Sequence, residues 1–231
     1  MIERRGCHGV AVLHNRIYAV GGCQINGDDW RELTSMECYD QQRNSWKYVA
    51  SLPLALEDFA MVASNDRLYV FGGNSPSGVS NKVFCYDPVG DAWSQKGDML
   101  TGRRWCSACI GPSGLIYVVG GDAGKQPEEC LRCTEAYDPA ADKWLKKADM
   151  LRRRNMPGSA CAYGKIYVLG GCTEDIRNCD SSIEFYDEVT DTWTLHESRL
   201  LTPKSGFGCV TMRMQKGMHL SGLIPVVCEK T

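Results

Sequence analysis

Apolar and polar positions in this chain come in short runs that never lengthen into a helical stripe. Gly9-Val-Ala-Val-Leu13 and Arg16-Ile-Tyr-Ala-Val20 are β-rich runs separated only by His14-Asn15, which predicts a tight hairpin. Corresponding turns fall at Asn65-Asp66, Ser113-Gly114 and Tyr163-Gly164, and each second run closes on a glycine pair: Gly21-Gly22, Gly72-Gly73, Gly120-Gly121 and Gly170-Gly171. Downstream of each pair stands one frame, Tyr-Asp-x-x-x-(Asn/Asp)-x-Trp, running Tyr39 to Trp46, Tyr86 to Trp93, Tyr137 to Trp144 and Tyr186 to Trp193. From one first glycine to the next the spacing is 51, 48 and 50 residues, so the chain is an internal repeat. A third and a fourth strand surround the Tyr and Trp, and Asn44, Asp91, Asp142 and Asp191 suit the turn between them. Each copy is thus predicted as a four-stranded antiparallel sheet. A solenoid of helix pairs is excluded, because no copy holds a helical period over roughly 10 to 12 residues and the glycine pairs would break one.

Length differences point to where function lies. Tyr to Trp is seven residues in every copy, whereas first Gly to Tyr is 18, 14, 17 and 16, which predicts variation confined to the loop between second and third strands. Those loops are Cys23 to Thr34, Asn74 to Asn81, Asp122 to Cys133 and Cys172 to Ser181. Insertions at one loop of every repeat land on one face of a repeat protein, the usual ligand surface. Trp30, an aromatic in a polar loop, is a candidate hot spot there. The Tyr and Trp of the frame are read as wedges between repeats, with no chemistry of their own.

A period near 50 built on Gly-Gly, Tyr and Trp resembles the kelch repeat, from residue 4 to about 212. The resemblance implies an all-β propeller of four-stranded blades at about 4–51, 55–99, 103–149 and 153–199. A lone closing strand at 204–212 and an irregular tail at 213–231 complete the expected organisation, an incomplete ring of a six-bladed parent. An arginine sixteen positions before the glycine pair marks three copies (Arg5, Arg104, Arg154), with Leu56 in the second and Lys204 in the partial fifth. In kelch-like proteins ligands sit on the face built from the loop after that arginine and from the residues following Gly-Gly. Carried over, these positions are Gly6-Cys7, Glu57-Asp58, Trp105-Cys106 and Asn155-Met156, with Cys23, Asn74, Asp122 and Cys172. None is the Arg or Tyr with which some members grip acidic peptides, so that specificity is not carried over. The resemblance implies protein binding: a substrate-recognition propeller of a cullin-RING ubiquitin ligase adaptor or, alternatively, an actin-binding kelch protein. A cullin would be reached only through an upstream BTB domain, which this sequence does not contain. A redox-sensing adaptor and a propeller enzyme are further alternatives.

The bulk composition changes this picture little. With 231 residues, 43% hydrophobic, 23% charged and a net charge of −2, the chain is average for a globular protein and gives no footprint for nucleic acid. No stretch reaches the roughly 18 to 20 apolar residues of a membrane span and the N-terminus carries no secretory core, so no membrane contact and a cytoplasmic location, cytoskeletal or nuclear at most, are expected. Thirteen cysteines, an odd number, read as reduced thiols. Cys106-x2-Cys109 and Cys130-x2-Cys133 approach a zinc-ribbon spacing, but residues three apart on a strand point to opposite faces, so neither metal nor cofactor is expected. His8, His14, His196 and His219 are scattered and no catalytic motif is present, so catalysis is not expected. Arg103-Arg104, Lys146-Lys147 and Arg152-Arg153-Arg154 suggest a basic edge able to steer an acidic segment.

Overall fold

The computed structural model describes residues 1–26, 29–124, 130–173 and 178–211; the expected tail at 213–231 and Met212 lie outside them. The first sheet is built from β1 (Gly9–Leu13) and β2 (Arg16–Val20) and, after an outlying hairpin of β3 (Cys23–Asn26) and β4 (Asp29–Glu32), from β5 (Met36–Asp40) and β6 (Ser45–Val49). The second repeats the plan with β7 (Ala60–Ser64), β8 (Arg67–Phe71), the small hairpin β9 (Asn74–Ser75) and β10 (Gly78–Val79), then β11 (Val83–Asp87) and β12 (Ala92–Gln95). The third is β13 (Ser107–Ile110), β14 (Ile116–Val119), β15 (Thr134–Asp138) and β16 (Lys143–Lys147). The fourth is β17 (Gly158–Ala162), β18 (Lys165–Leu169), β19 (Ser182–Asp187) and β20 (Thr192–Arg199). Each sheet is an antiparallel meander in sequence order, as the repeat predicts. The chain is all-β and its sheets are propeller blades.

Local chemistry explains the hairpins. His14 and Asn15 both adopt positive φ (49° and 57°), as do Asn65 and Asp66 (48° and 59°), the twist that a two-residue turn between right-twisted strands needs. The third blade departs from this. Ser113-Gly114 is part of a longer loop in which the Gly111 N–H donates to the Leu115 carbonyl (2.8 Å) and the Gly114 N–H to the Gly111 carbonyl (3.0 Å). Ser107 pairs with Val119, whereas Gly9 pairs with Val20, so this hairpin holds one extra residue. Length variation is therefore not confined to the loops between second and third strands.

The core lies between blades. Leu13, Tyr18, Val20 and Met36 of the first blade share one apolar cluster with Leu56, Phe59, Leu68 and Tyr86 of the second. Equivalent clusters join second to third and third to fourth. Among the described residues no such cluster joins fourth to first. Val10 and Val12 on β1 accordingly stay 54% and 62% exposed.

At the other end, residues 204–211 form no strand. They follow the path of an inner strand, with Phe207 and Cys209 packed on the Leu169, Ile183 and Leu200 cluster and the Gly206 N–H donating to the Met156 carbonyl at 3.0 Å. A strand needs a ladder partner, and no second strand of a fifth copy is described beside them.

Inside each blade a long-range contact ties loop to sheet. Arg5 is buried and donates to the Gly21 and Ser35 carbonyls (2.9 Å each) and to the Glu37 carboxylate (2.8 Å). Arg154 repeats this with the Gly170 and Ser182 carbonyls (2.6 and 3.1 Å) and Glu184 (2.8 Å). In the third blade the equivalent is Arg103, paired with Glu135 and bonded to the Gly120 and Cys133 carbonyls (3.0 and 3.2 Å), in place of the expected Arg104. The extra hairpin residue causes the shift. The second blade puts Leu56 and Phe84 at the matching positions, both in one apolar cluster. Ion pair and apolar pair thus replace one another as units, since a buried charge without its partner costs several kcal/mol.

Candidate functional site

Where the chain enters each blade, one residue per repeat adopts positive φ: Cys7 (52°), Asp58 (57°), Trp105 (55°) and Met156 (50°). These residues form a belt from blade to blade. Asp58 N–H donates to the Cys7 carbonyl (3.0 Å), Trp105 N–H to Asp58 (2.8 Å) and Met156 N–H to Trp105 (2.8 Å). The residue before each pairs with the one after the glycine pair: Gly6 with Cys23, Glu57 with Asn74, Arg104 with Asp122 and Asn155 with Cys172. Of the sequence-derived positions, Gly6, Cys7, Cys23, Glu57, Asp58, Asn74, Trp105, Asp122, Asn155, Met156 and Cys172 are brought together in this way.

Cys106 is not; it stands where Phe59 stands in the second blade, one residue past the belt, and burial pushes its thiol up to about 11. The third pair is Arg104-Trp105. The spacing from the glycines missed it because the inserted residue lies between arginine and glycine, where a count cannot locate it. The candidate face therefore does hold an arginine, and the sequence reading that it holds none is corrected. Its guanidinium lies 4.0 Å over the Trp105 ring and its Nε 3.5 Å from Asp122 Oδ1, so stacking and an ion pair fix its direction.

Side chains on the belt differ in accessibility. Glu57 is 4% exposed, with the Asn74 amide 3.4 Å from Oε1, whereas Asp58 is half-buried. Cys23 is buried and donates weakly to the Gly6 carbonyl at 3.8 Å; burial, with the Glu57 carboxylate beside it, drives its thiol pKa strongly upward, so it stays protonated. Trp30 lies on β4 rather than in an irregular loop, 49% exposed and opposite the 61% exposed Ile25. A cleft of about 210 Å³ opens beside that hairpin, lined by Arg4, Arg5, Gly6, Cys23, Gln24 and Ile25.

The predicted basic edge loses two of its members to the core, while Lys146, Arg152 and Arg153 stay exposed. Arg103 and Arg154 are fully buried in their ion pairs, and Arg152 sits 3.3 Å from Asp180. Among the described residues no group of three or more His, Cys, Asp or Glu side chains is arranged to hold a metal ion, and no helix is long and apolar enough to cross a membrane.

Four sheets around a belt of loops define a repeat propeller, and the comparisons specify its kind. A family model described as the KLHDC2/KLHL20/DRC7 Kelch-repeats domain matches residues 1–156, and the Kelch motif matches residues 153–195. The chain belongs to the kelch-repeat family. It is 33% identical to rat Kelch-like protein 36 over 200 residues, 84% of this chain and 32% of that protein. To mouse Kelch-like protein 35 it is 33% identical over 213 residues (92% and 34%), and to human Kelch repeat and BTB domain-containing protein 12 it is 32% identical over 235 residues (92% and 37%). The chain thus spans about a third of the length of these relatives. A solved structure titled "Structure of YjhT" superposes with a TM-score of 0.76 at 14% identity, covering 89% of this chain and 74% of the other, which supports the fold alone.

Proposed function

We propose that this chain is a protein-interaction module whose belt face captures a protein or peptide partner, and that it serves as the substrate-recognition propeller of a cullin-RING ubiquitin ligase adaptor. One observation carries the reading. The belt backbone is the same in all four blades while the side chains it presents all differ: Gly6-Cys7, Glu57-Asp58, Arg104-Trp105 and Asn155-Met156. A rigid frame bearing unlike side chains is what recognition of one shape needs. The relative named as containing a BTB domain supports the adaptor part, which depends on such a domain in the same protein. Capture from lysate by wild-type chain, by Asp58→Asn/Arg104→Gln, in which Asn tolerates the positive φ at 58, and by Trp30→Ala tests the reading. The expected result is a substrate candidate lost in the belt variant at unchanged melting temperature. Equal capture by all forms overturns it, and co-sedimentation with filamentous actin replaces the adaptor role by a cytoskeletal one.

A further inference from the structure

The residues that flank the loop after each glycine pair face each other across two short extended segments. The facing pairs are Cys23 and Glu32, Asn74 and Val79, Asp122 and Cys130, and Cys172 and Cys179. Only the fourth blade places cysteine at both positions. Its two sulfurs lie 3.5 Å apart.

The hydrogen bonds around them define the pair more closely. The Cys172 N–H and carbonyl both bond outward, to the Asn155 carbonyl and N–H at 2.8 Å each. Toward the other segment the bonds skip the cysteines: Asp180 N–H donates to the Gly171 carbonyl (2.7 Å) and Thr173 N–H to the Asn178 carbonyl (3.4 Å). Cys172 and Cys179 are therefore a non-hydrogen-bonded antiparallel pair, the class in which facing Cα atoms typically stand about 4.5 Å apart. A disulfide accepts Cα separations from about 4.4 Å upward, so the bridge forms without unpairing the segments. We propose that Cys172 and Cys179 are a peroxide-oxidisable dithiol that closes to a disulfide in the folded protein.

Cys179 is the half-buried member and Cys172 the buried one, 1% exposed. Hydrogen peroxide reaches Cys179 first: a sulfur–oxygen bond forms as the O–O bond breaks, leaving a sulfenic acid and one water. The Cys172 sulfur then attacks the Cys179 sulfur, the S–O bond breaks, and the thiol proton leaves with the hydroxyl as a second water. Two thiols lose two electrons, and one peroxide becomes two waters. The sulfurs close from 3.5 Å to about 2.05 Å, drawing Cys179 away from the Ser205 hydroxyl now 3.4 Å from it. Because Cys172 holds Asn155, the bond fixes the fourth-blade margin of the belt. The inference stands whether or not the belt binds a ligase substrate.

Peptide mapping tests it. The folded full chain is treated with hydrogen peroxide, free thiols are alkylated, and trypsin is applied without reduction. Cleavage after Lys165, Arg177 and Arg199 leaves Cys172 on Ile166–Arg177 and Cys179 on Asn178–Arg199. The expected result is these two peptides joined, at least tenfold above any other cysteine pair, and separated by reductant. Oxidation in urea serves as the control and should erase that preference. Recovery of both cysteines alkylated, joining of Cys172 to Cys130, or an equal yield in urea overturns the proposal. Cys179→Ser should remove the linked species; a variant that fails to fold leaves the wild-type comparison decisive.

Discussion

Asp142 of the third blade accepts the Gly97 N–H of the second blade at 2.8 Å, and two residues on, Trp144 Nε1 donates to the Gly97 carbonyl at 2.7 Å. The backbone of one residue is held at both its N–H and its carbonyl by the neighbouring blade. The device recurs at Ala50, held by Asp91 and Trp93 (2.9 Å each), and at Ala148, held by Asp191 and Trp193 (2.9 Å each). Each aspartate also accepts its own blade's tyrosine hydroxyl, Tyr86 at 2.7 Å, Tyr137 at 2.6 Å and Tyr186 at 2.5 Å. The shared frame is thus a latch between blades, which is why its spacing is constant where loop lengths vary.

Removing the latch acceptor should cost stability without altering the blade. Asp142→Ala loses two hydrogen bonds and is expected to cost about 2 kcal/mol. Asp142→Asn keeps an acceptor and tolerates the positive φ of 50°, as Asn44 does at 47° in the first blade, and should cost less than about 1 kcal/mol. Urea denaturation checks both, and an equal loss in the two variants would contradict the latch.

The same aspartates predict an acid limit. The Ala50 N–H and the Tyr86 hydroxyl hold Asp91 below the usual carboxylate range; Tyr137 and the Gly97 N–H do so for Asp142, and the Ala148 N–H and Tyr186 for Asp191. Folded pKa values below the unfolded value of about 3.9 contribute stability that is present above that pH and lost as pH falls through the depressed values. The melting temperature should be level above about pH 5 and fall below about pH 4. In an Asp142→Asn/Asp191→Asn variant the fall should be shallower; an unchanged slope would show that other carboxylates set the limit.

Trp144 and Trp30 should separate stability from binding. Trp144 meets Phe71 of the adjacent blade edge-on at 5.8 Å, and its truncation to alanine is expected to cost about 3 kcal/mol. Trp30, 49% exposed, should change the melting temperature little while weakening partner capture. Similar melting shifts in both variants would refute the division between latch and face.

A side chain on the second glycine of a pair should damage the blade junction. Gly171 has φ 88°, and a Cβ there would lie 2.7 Å from the Asn155 carbonyl oxygen. Its N–H also donates to the Lys204 carbonyl at 2.8 Å. Gly171→Val is expected to cost about 3 kcal/mol or more, combining backbone strain with a lost hydrogen bond. Thermal melts decide it, and a neutral effect would refute the close approach.

The first blade's outer face predicts association. Tyr39 and Trp46 are half-buried where Tyr86, Tyr137 and Tyr186 are 2%, 0% and 0% exposed, and Val10 and Val12 lie bare beside them. Purified chain is expected to self-associate or aggregate. Light scattering from a cooperatively melting monomer of 25.6 kDa would count against it.

The sequence alone determined the repeat, the four-stranded blades, the two-residue turns at His14-Asn15 and Asn65-Asp66, and the role of the glycine pairs. These features are local: strand alternation, turn φ and the absence of a Cβ act between near neighbours in the chain. It did not determine which of two adjacent arginines is buried. Arg103 is chosen by Glu135, 32 residues away, and by one extra residue in the Gly111 to Leu115 loop that a period count cannot place. Nor did it show the latch, whose partners stand 41 to 47 residues apart on different blades. Arg103 and Arg154 drop out of the basic edge for the same reason, since clustering in sequence says nothing about which charges meet a carboxylate in the core. Local pattern fixes what each segment becomes; register and charge pairing are settled only when distant segments pack, because burial and electrostatics act through space rather than along the chain.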